Sequence, residues 1–181
     1  GDFNADGYDD LAVGVPFESV DEIANAGAFQ VIFGSAFGLT PINDRIFYLG
    51  NNMPGAPASG EYLGWSLVAG NFDPNSVGDE VAVGAPGTTV SGQSGTGAVW
   101  VVKNLAGASS ASILHLDVDG MPGEAESGDQ FGCALAAGQF DGVGGDDLAV
   151  GACQREVGEV DGAGAVYLTY FATHPSAVVT Q

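Results

Sequence analysis

Apolar residues in this chain gather in short runs divided by Gly, Pro, Asn, Asp and Ser, and no stretch keeps the 3.6-residue period of an amphipathic helix. The runs at 11–15, 28–33, 80–85, 98–103, 147–152 and 165–171 are rich in Val, Phe, Leu and Ala. Such continuous apolar runs predict strands covered on both faces rather than strands with one wet face. Residues 45–49 and 112–116 predict outer strands, and 61–69 and 130–137 predict inner ones, small residues such as Gly64, Ser66, Gly132 and Ala134 suiting a crowded centre. Val178 and Val179 allow one more short strand in the tail that begins at His174-Pro175. The segments 17–26, 34–44, 51–60 and 88–95 carry the turn residues and read as loops.

The runs repeat. Gly1-Asp-Phe-Asn-Ala-Asp-Gly-Tyr-Asp-Asp-Leu-Ala-Val-Gly14 returns as residues 70–84 and again as residues 138–151. Gly1 to Gly70 is 69 residues and Gly70 to Gly138 is 68. A second landmark keeps step: Gly14 to Gly27, Gly84 to Gly97 and Gly151 to Gly164 are each 13 residues apart. Repetition at a fixed period marks stacked or radial arrays of one supersecondary unit. The repeats span approximately 1–60, 61–128 and 129–181, within a single domain. A parallel solenoid also repeats, but hairpins within each long unit favour four-stranded antiparallel meanders, the blades of a β-propeller.

The loop opening each repeat carries the candidate chemistry. In the first, Asp2, Asn4, Asp6 and Asp10 place side-chain oxygens at alternate positions, and Tyr8 offers its carbonyl in the gap. Oxygen ligands at that spacing suit a hard cation of flexible geometry, Ca²⁺ before Mg²⁺. The second offers Asn71, Asp73, Asn75, the Val77 carbonyl and Asp79, with fewer charges and so a weaker expected site. The third keeps Gln139, Asp141 and Asp147, but Val143 supplies no oxygen where Asp6 stands, so a plain turn is favoured there. Asp117-Val-Asp119-Gly120 also reads as a turn.

Phe131-Gly132 before the third loop, Leu63-Gly64 before the second and Gly84-Ala85-Pro86 after it resemble FG-GAP repeats. These are the blades of the integrin α-subunit propeller, found also in secreted bacterial proteins. The pattern departs at Leu63, at Gly14-Val15-Pro16 and at Gly151-Ala152-Cys153, and the first copy has no FG segment. The resemblance implies an extracellular module, secreted or at the cell surface, of structural or adhesion type. It further implies bound Ca²⁺ and loops presented to a protein partner.

Charge narrows the partners. Twenty-three acids face only Arg45, Lys103 and Arg155, for a net charge of -20. Nucleic acid, whose binding needs Lys and Arg on phosphates, is excluded as a partner, and anionic membrane surfaces are disfavoured. No apolar run approaches the roughly 18 residues of a membrane span, so no insertion is expected. Without an initiator Met or a signal peptide, the sequence reads as a mature or excised piece.

Catalysis finds no motif, and the expectation is a non-enzyme. His115 and His174 lie near no nucleophile, and the pairs Asp9-Asp10 and Asp146-Asp147 sit in cation-type loops rather than facing one substrate. A carbohydrate-binding or carbohydrate-cleaving propeller is the alternative; Trp65 and Trp100 would then line a glycan surface, although core burial is expected of both. No Asn-x-Ser/Thr sequon occurs, and O-linked modification within 88–96 stays open. Cys133 and Cys153 flank the third loop symmetrically, so a hairpin centred there predicts a disulfide between facing residues. Finally, three blades fall short of the about four to eight that close a propeller. The first blade lacks its inner strand, leaving completion to a longer chain or to other copies joined head-to-tail in a ring or filament. The tail after 171 is one candidate donor of that strand.

Overall fold

The computed structural model describes residues 1–118 and 120–171, and the backbone of strand 177–180. Among these there is no helix, and twelve strands form three four-stranded sheets. Blade 1 holds β1 (Leu11–Val15), β2 (Ala28–Phe33), β3 (Thr40–Leu49) and β4 (Asn52–Met53). Blade 2 holds β5 (Ser66–Gly70), β6 (Glu80–Ala85), β7 (Ala98–Lys103) and β8 (Ser110–Leu114). Blade 3 holds β9 (Phe131–Gly138), β10 (Asp147–Ala152), β11 (Ala165–Thr169) and β12 (Ala177–Thr180). Each is a meander in chain order, antiparallel throughout except for the two-residue β4, which runs parallel to β3. These are β-propeller blades, as the repeat predicts.

Alternation decides which blade each side chain serves. Every residue of β6 is buried, because Val81, Val83 and Ala85 pack toward blade 1 while Ala82 packs toward blade 3. β7 divides likewise, Trp100 and Val102 joining the first core and Val99 and Val101 the second. The two cores therefore lie between blades. Phe29, Val31, Phe33 and Phe47 complete the first, with Phe29 and Phe47 stacked at 4.7 Å. Phe131, Leu148, Val150 and Tyr167 complete the second. Each such side chain removed from water contributes about 1.5–3 kcal/mol, so joining blades accounts for most of the stabilisation.

The FG-GAP glycines have a packing cause. A Cβ at Gly14 would overlap the Gly64 carbonyl, and one at Gly84 would overlap that of Gly132. Gly64 and Gly132 themselves take φ of 89° and 88°, turning the chain sharply into the inner strand. The preceding Leu63 and Phe131 are buried in the cores. The inner strand of blade 2 begins at Ser66, past the Gly64 turn and later than the expected 61, whereas that of blade 3 begins at Phe131, one residue after the expected 130.

Three expectations need correction. The tail does not donate a strand to blade 1: β12 lies antiparallel on β11, Ala165 opposite Thr180, as the outer strand of blade 3. Blade 1 gains β4 at its outer side, and among the described residues no strand covers the inner edge of β1. The disulfide Cys133–Cys153 is present, with Cα atoms 6.1 Å apart, but not as a facing pair. Gly151 pairs with Ala134 and Ala152 with Phe131, so Gly132 and Cys133 form a bulge, and the bridge spans it.

Candidate functional site

Each blade has a loop between its inner strand position and the next strand: residues 2–10, 71–80 and 139–147. All three close in the same way. In loop 1 the Phe3 N–H donates to Asp10 Oδ2 at 2.8 Å and the Gly34 N–H to Oδ1 at 2.7 Å. In loop 2 the amides of Phe72 and Asp73 donate to Glu80 Oε2 at 2.8 and 3.0 Å, and the Ser76 hydroxyl to Oε1. In loop 3 the amides of Phe140 and Asp141 donate to Asp147 Oδ2 at 2.7 and 3.1 Å. All three acids are buried, and the bonds to backbone amides satisfy oxygens that burial would otherwise leave bare. Asp10 and Asp147 thus brace their loops, and any ligation by them would use the remaining lone pairs.

This alignment corrects the second loop, which is one residue longer than the others. The counterpart of Asp10 is Glu80, not Asp79. Asp79 leaves its own loop: its Oδ2 accepts the Asp2 N–H of blade 1 at 2.9 Å, while its own N–H donates to the Asp2 carbonyl at 2.9 Å. Asp146 repeats the pattern with Asn71 of blade 2, at 2.9 and 2.7 Å. The paired acids therefore point two ways, one into the loop and one to the preceding blade.

What faces the centre of each loop differs. In loop 3 the Gln139 amide fills it: Oε1 accepts from Gly142 N–H at 2.7 Å, and Nε2 donates to the carbonyls of Val143, Gly144 and Gly145. Asp141 Oδ1 accepts the Val143 N–H. In loop 2 the Lys103 ammonium stands 2.7 Å from Asp73 Oδ2 and holds that carboxyl below its usual range, with the Asn75 amide helping. Asn75 donates to the same carboxylate, and Val77 is exposed.

Loop 1 has neither device. Asp2 accepts the amides of Asp6 and Gly7, Asn4 Oδ1 accepts that of Asp6, and Asp6 Oδ1 accepts that of Tyr8. These bonds curl Asp2, Asn4, Asp6 and the Tyr8 backbone around one turn, which Gly7 permits with φ of 87°. Asn4 Nδ2 also donates to Asp6 Oδ2 at 3.0 Å. Among the described residues Asp2 and Asp6 have no cationic partner, since Arg45 serves the carbonyls of Leu105 and Gly107, and Arg155 serves Asp129 and Glu126. No group of three His, Cys, Asp or Glu gathers as a metal cluster among the described residues. The donor set of loop 1 is two carboxylates, an amide oxygen and a carbonyl, which fits an oxygen-seeking cation.

Elsewhere, Trp100 is buried as expected, but Trp65 is 49% exposed, against expectation. It meets Phe17 and Tyr62 edge-on, with ring centroids 6.1 and 6.0 Å away, and those two rings stand 5.7 Å from each other. Asp117 sits in a turn and accepts from Ser91 and Ala125, and His115 Nδ1 accepts the Asp117 N–H. His174 and Asp119 lie outside the described residues.

Sequence reading missed the parts of Glu80, Lys103 and Gln139. Counting back from the apolar run, Leu11, Val81 and Leu148, would have aligned Glu80 with Asp10. Nothing local marks Lys103, which reaches loop 2 only because β7 ends beside it.

No curated protein matches the chain. A family model described as FG-GAP repeat matches residues 1–32, which span loop 1, β1 and most of β2. Residues 70–84 and 138–151 repeat the loop and strand of that matched unit in step with the first copy.

Proposed function

We propose that the protein is a calcium-stabilised structural module of extracellular type, without catalytic activity, that carries one principal Ca²⁺ on loop 1. The observation that supports it most is the contrast among the loops. Loop 3 is filled by the Gln139 amide, and loop 2 is neutralised by Lys103. Loop 1 has neither device at its centre, where the Asp2 and Asp6 carboxylates accept backbone amides and have no cationic partner among the described residues. Asp2, Asn4, Asp6 and the Tyr8 carbonyl would hold the ion, Asp10 bracing the turn behind them. A disulfide and FG-GAP repeats agree with an oxidising extracellular compartment, and no helix among the described residues is long and apolar enough to cross a membrane. Its loops would meet a protein partner once calcium has fixed them.

Calorimetric titration and thermal melting test this. One strong equivalent of Ca²⁺ per chain is expected. Stability should rise by about 2.7 kcal/mol when free Ca²⁺ reaches a hundred times its dissociation constant. Asp6→Asn should weaken that site, while Asp141→Asn leaves it alone. Equal melting in excess chelator and in millimolar Ca²⁺ would overturn the assignment.

The exposed aromatic group of Phe17, Tyr62 and Trp65 favours a second reading, a glycan-binding surface, because sugar rings stack on such faces. Glycan-array binding lost in Trp65→Ala would support it over the first.

A further inference from the structure

Asp2 is held from two sides. Its side chain serves loop 1, where Oδ1 accepts the Asp6 N–H at 3.1 Å and Oδ2 the Gly7 N–H at 2.9 Å. Its backbone serves blade 2: the N–H donates to Asp79 Oδ2 and the C=O accepts the Asp79 N–H, both at 2.9 Å. The chain just before Asp79 comes closer still. A Cβ on Gly78, whose φ is 78°, would stand 2.8 Å from the Asp2 carbonyl oxygen and 2.9 Å from the Phe3 carbonyl, so backbone lies against backbone there. Asn4 and Asp6 have a different setting, since their side chains bond within the loop.

The second junction repeats this clasp. Asp146 Oδ2 accepts the Asn71 N–H at 2.9 Å, its own N–H donates to the Asn71 carbonyl at 2.7 Å, and a Cβ on Gly145 would overlap that carbonyl. Asn71 stands in loop 2 where Asp2 stands in loop 1. The charge of loop 2, however, is already met by Lys103. The two clasps are thus matched in geometry and differ in what the clasped residue faces.

We propose that Asp79 of blade 2 is a positioning residue for the loop 1 calcium site, so that bound calcium and the junction of blades 1 and 2 strengthen each other. Two bonds to the Asp2 backbone fix the direction of its Cα–Cβ bond, and the carboxylate is aimed before an ion arrives. Less conformational freedom is then lost on binding. Asp79 acts through Asp2 rather than as a ligand, since its Oδ2 is engaged by the Asp2 N–H. Coupling of this kind is reciprocal: if the clasp raises calcium affinity, calcium tightens the clasp by the same factor. The inference rests on the loop 1 calcium reading and adds what tunes that site from the neighbouring blade.

Calorimetric titration of the whole chain with Ca²⁺ tests this on the parent, Asp79→Ala, Asp79→Asn and Asp146→Ala. Asp79→Ala should bind its one equivalent about tenfold more weakly. Asp79→Asn keeps an oxygen for the Asp2 N–H and should stay within about threefold of the parent. Asp146→Ala, the same cut at the second junction, should lower the melting temperature and leave calcium affinity unchanged. Amide exchange on the parent needs no variant: calcium should slow it about tenfold at Asp2 and Asp79 and leave Asn71 and Asp146 as they were. Parent-like affinity in Asp79→Ala overturns the proposal and spares the loop 1 assignment. Equal weakening in Asp79→Ala and Asp79→Asn overturns it in favour of charge alone, and equal weakening in Asp146→Ala in favour of general loosening. Calcium protection that stops short of Asp79 overturns it as well. A parent that binds no strong equivalent overturns both readings together.

Discussion

Lys103 Nζ stands 2.7 Å from Asp73 Oδ2, so an ammonium on the end of β7 occupies the charge centre of the second loop. Lys103→Met should therefore do two things. It should free Asp73 for a cation, adding a second, weaker Ca²⁺ equivalent in a calorimetric titration. It should also change acid stability. The folded Asp73 carboxyl titrates below its usual value of 3.8, because Lys103 and then Asn75 bond its charged form. A depressed folded value means stability present above about pH 3.8 and lost as pH falls through the lower value. Melting curves across that acid range should lose part of this slope in Lys103→Met. An unchanged slope and stoichiometry would show that the ion pair is incidental to the loop.

The buried brace of each loop predicts a different cost. Asp147 is 1% exposed and receives two backbone amides. Asp147→Ala leaves both donors unmatched beside the core and should cost about 3 kcal/mol in urea unfolding. Asp147→Asn keeps one neutral acceptor and should recover about half. Equal losses for Ala and Asn would mean that the charge, not the hydrogen bonding, is what the site uses.

The period and the strand order were legible because every repeat uses the same glycines for the same close approach. Gly14 and Gly84 each face the carbonyl of a following glycine, and the spacing between such points is printed in the sequence. Register within a hairpin was not. Symmetry about loop 3 predicted Cys133 opposite Cys153, yet Gly132, at a φ of 88°, inserts a bulge and shifts the pairing. The bridge forms because a 6.1 Å Cα separation still permits it. The candidate ligands were legible as residue types but not as directions. Asp79 reads as a member of its own loop and turns out to bind the one before it. Such a contact spans 77 residues and has no local signal.

Glycines at the blade junctions give a test of packing that is independent of loop chemistry. Gly84 and Gly151 occupy equivalent places, and neither has left-handed backbone, so alanine is conformationally acceptable at both. At Gly84 the added Cβ would overlap the Gly132 carbonyl and the Ser66 hydroxyl. At Gly151 its nearest neighbours would be Cys133 Sγ at 3.3 Å and Ala134 Cβ at 3.4 Å. Gly84→Ala should therefore cost about 3 kcal/mol or more, the upper range of overpacking, because backbone must shift. Gly151→Ala should stay within about 1 kcal/mol of the parent. Thermal melting of the two variants decides it, and equal losses would show that the blades do not meet at these glycines.

Glu61 is buried just ahead of the second FG turn, where its Oε2 accepts the Ala58 N–H at 2.8 Å. Burial penalises its charged form, and the backbone bond only partly offsets this, so its carboxyl titrates above the usual 4.5. A raised folded value means that the folded state holds the proton more tightly than the unfolded chain. The contribution to stability is then fully present below about pH 4.5 and is lost as pH rises through the folded value. At neutral pH the carboxylate therefore works against the fold. Glu61→Gln keeps an oxygen for the Ala58 amide and carries no charge to desolvate. It should melt above the parent at pH 7, with the difference shrinking as pH falls through the folded value and gone below about pH 4.5. Melting series of both proteins from pH 3 to pH 8 test the sign directly. A variant less stable than the parent at pH 7 would mean that the ionised carboxylate is held by more than Ala58, and that loss of charge there loosens the turn ahead of Leu63-Gly64.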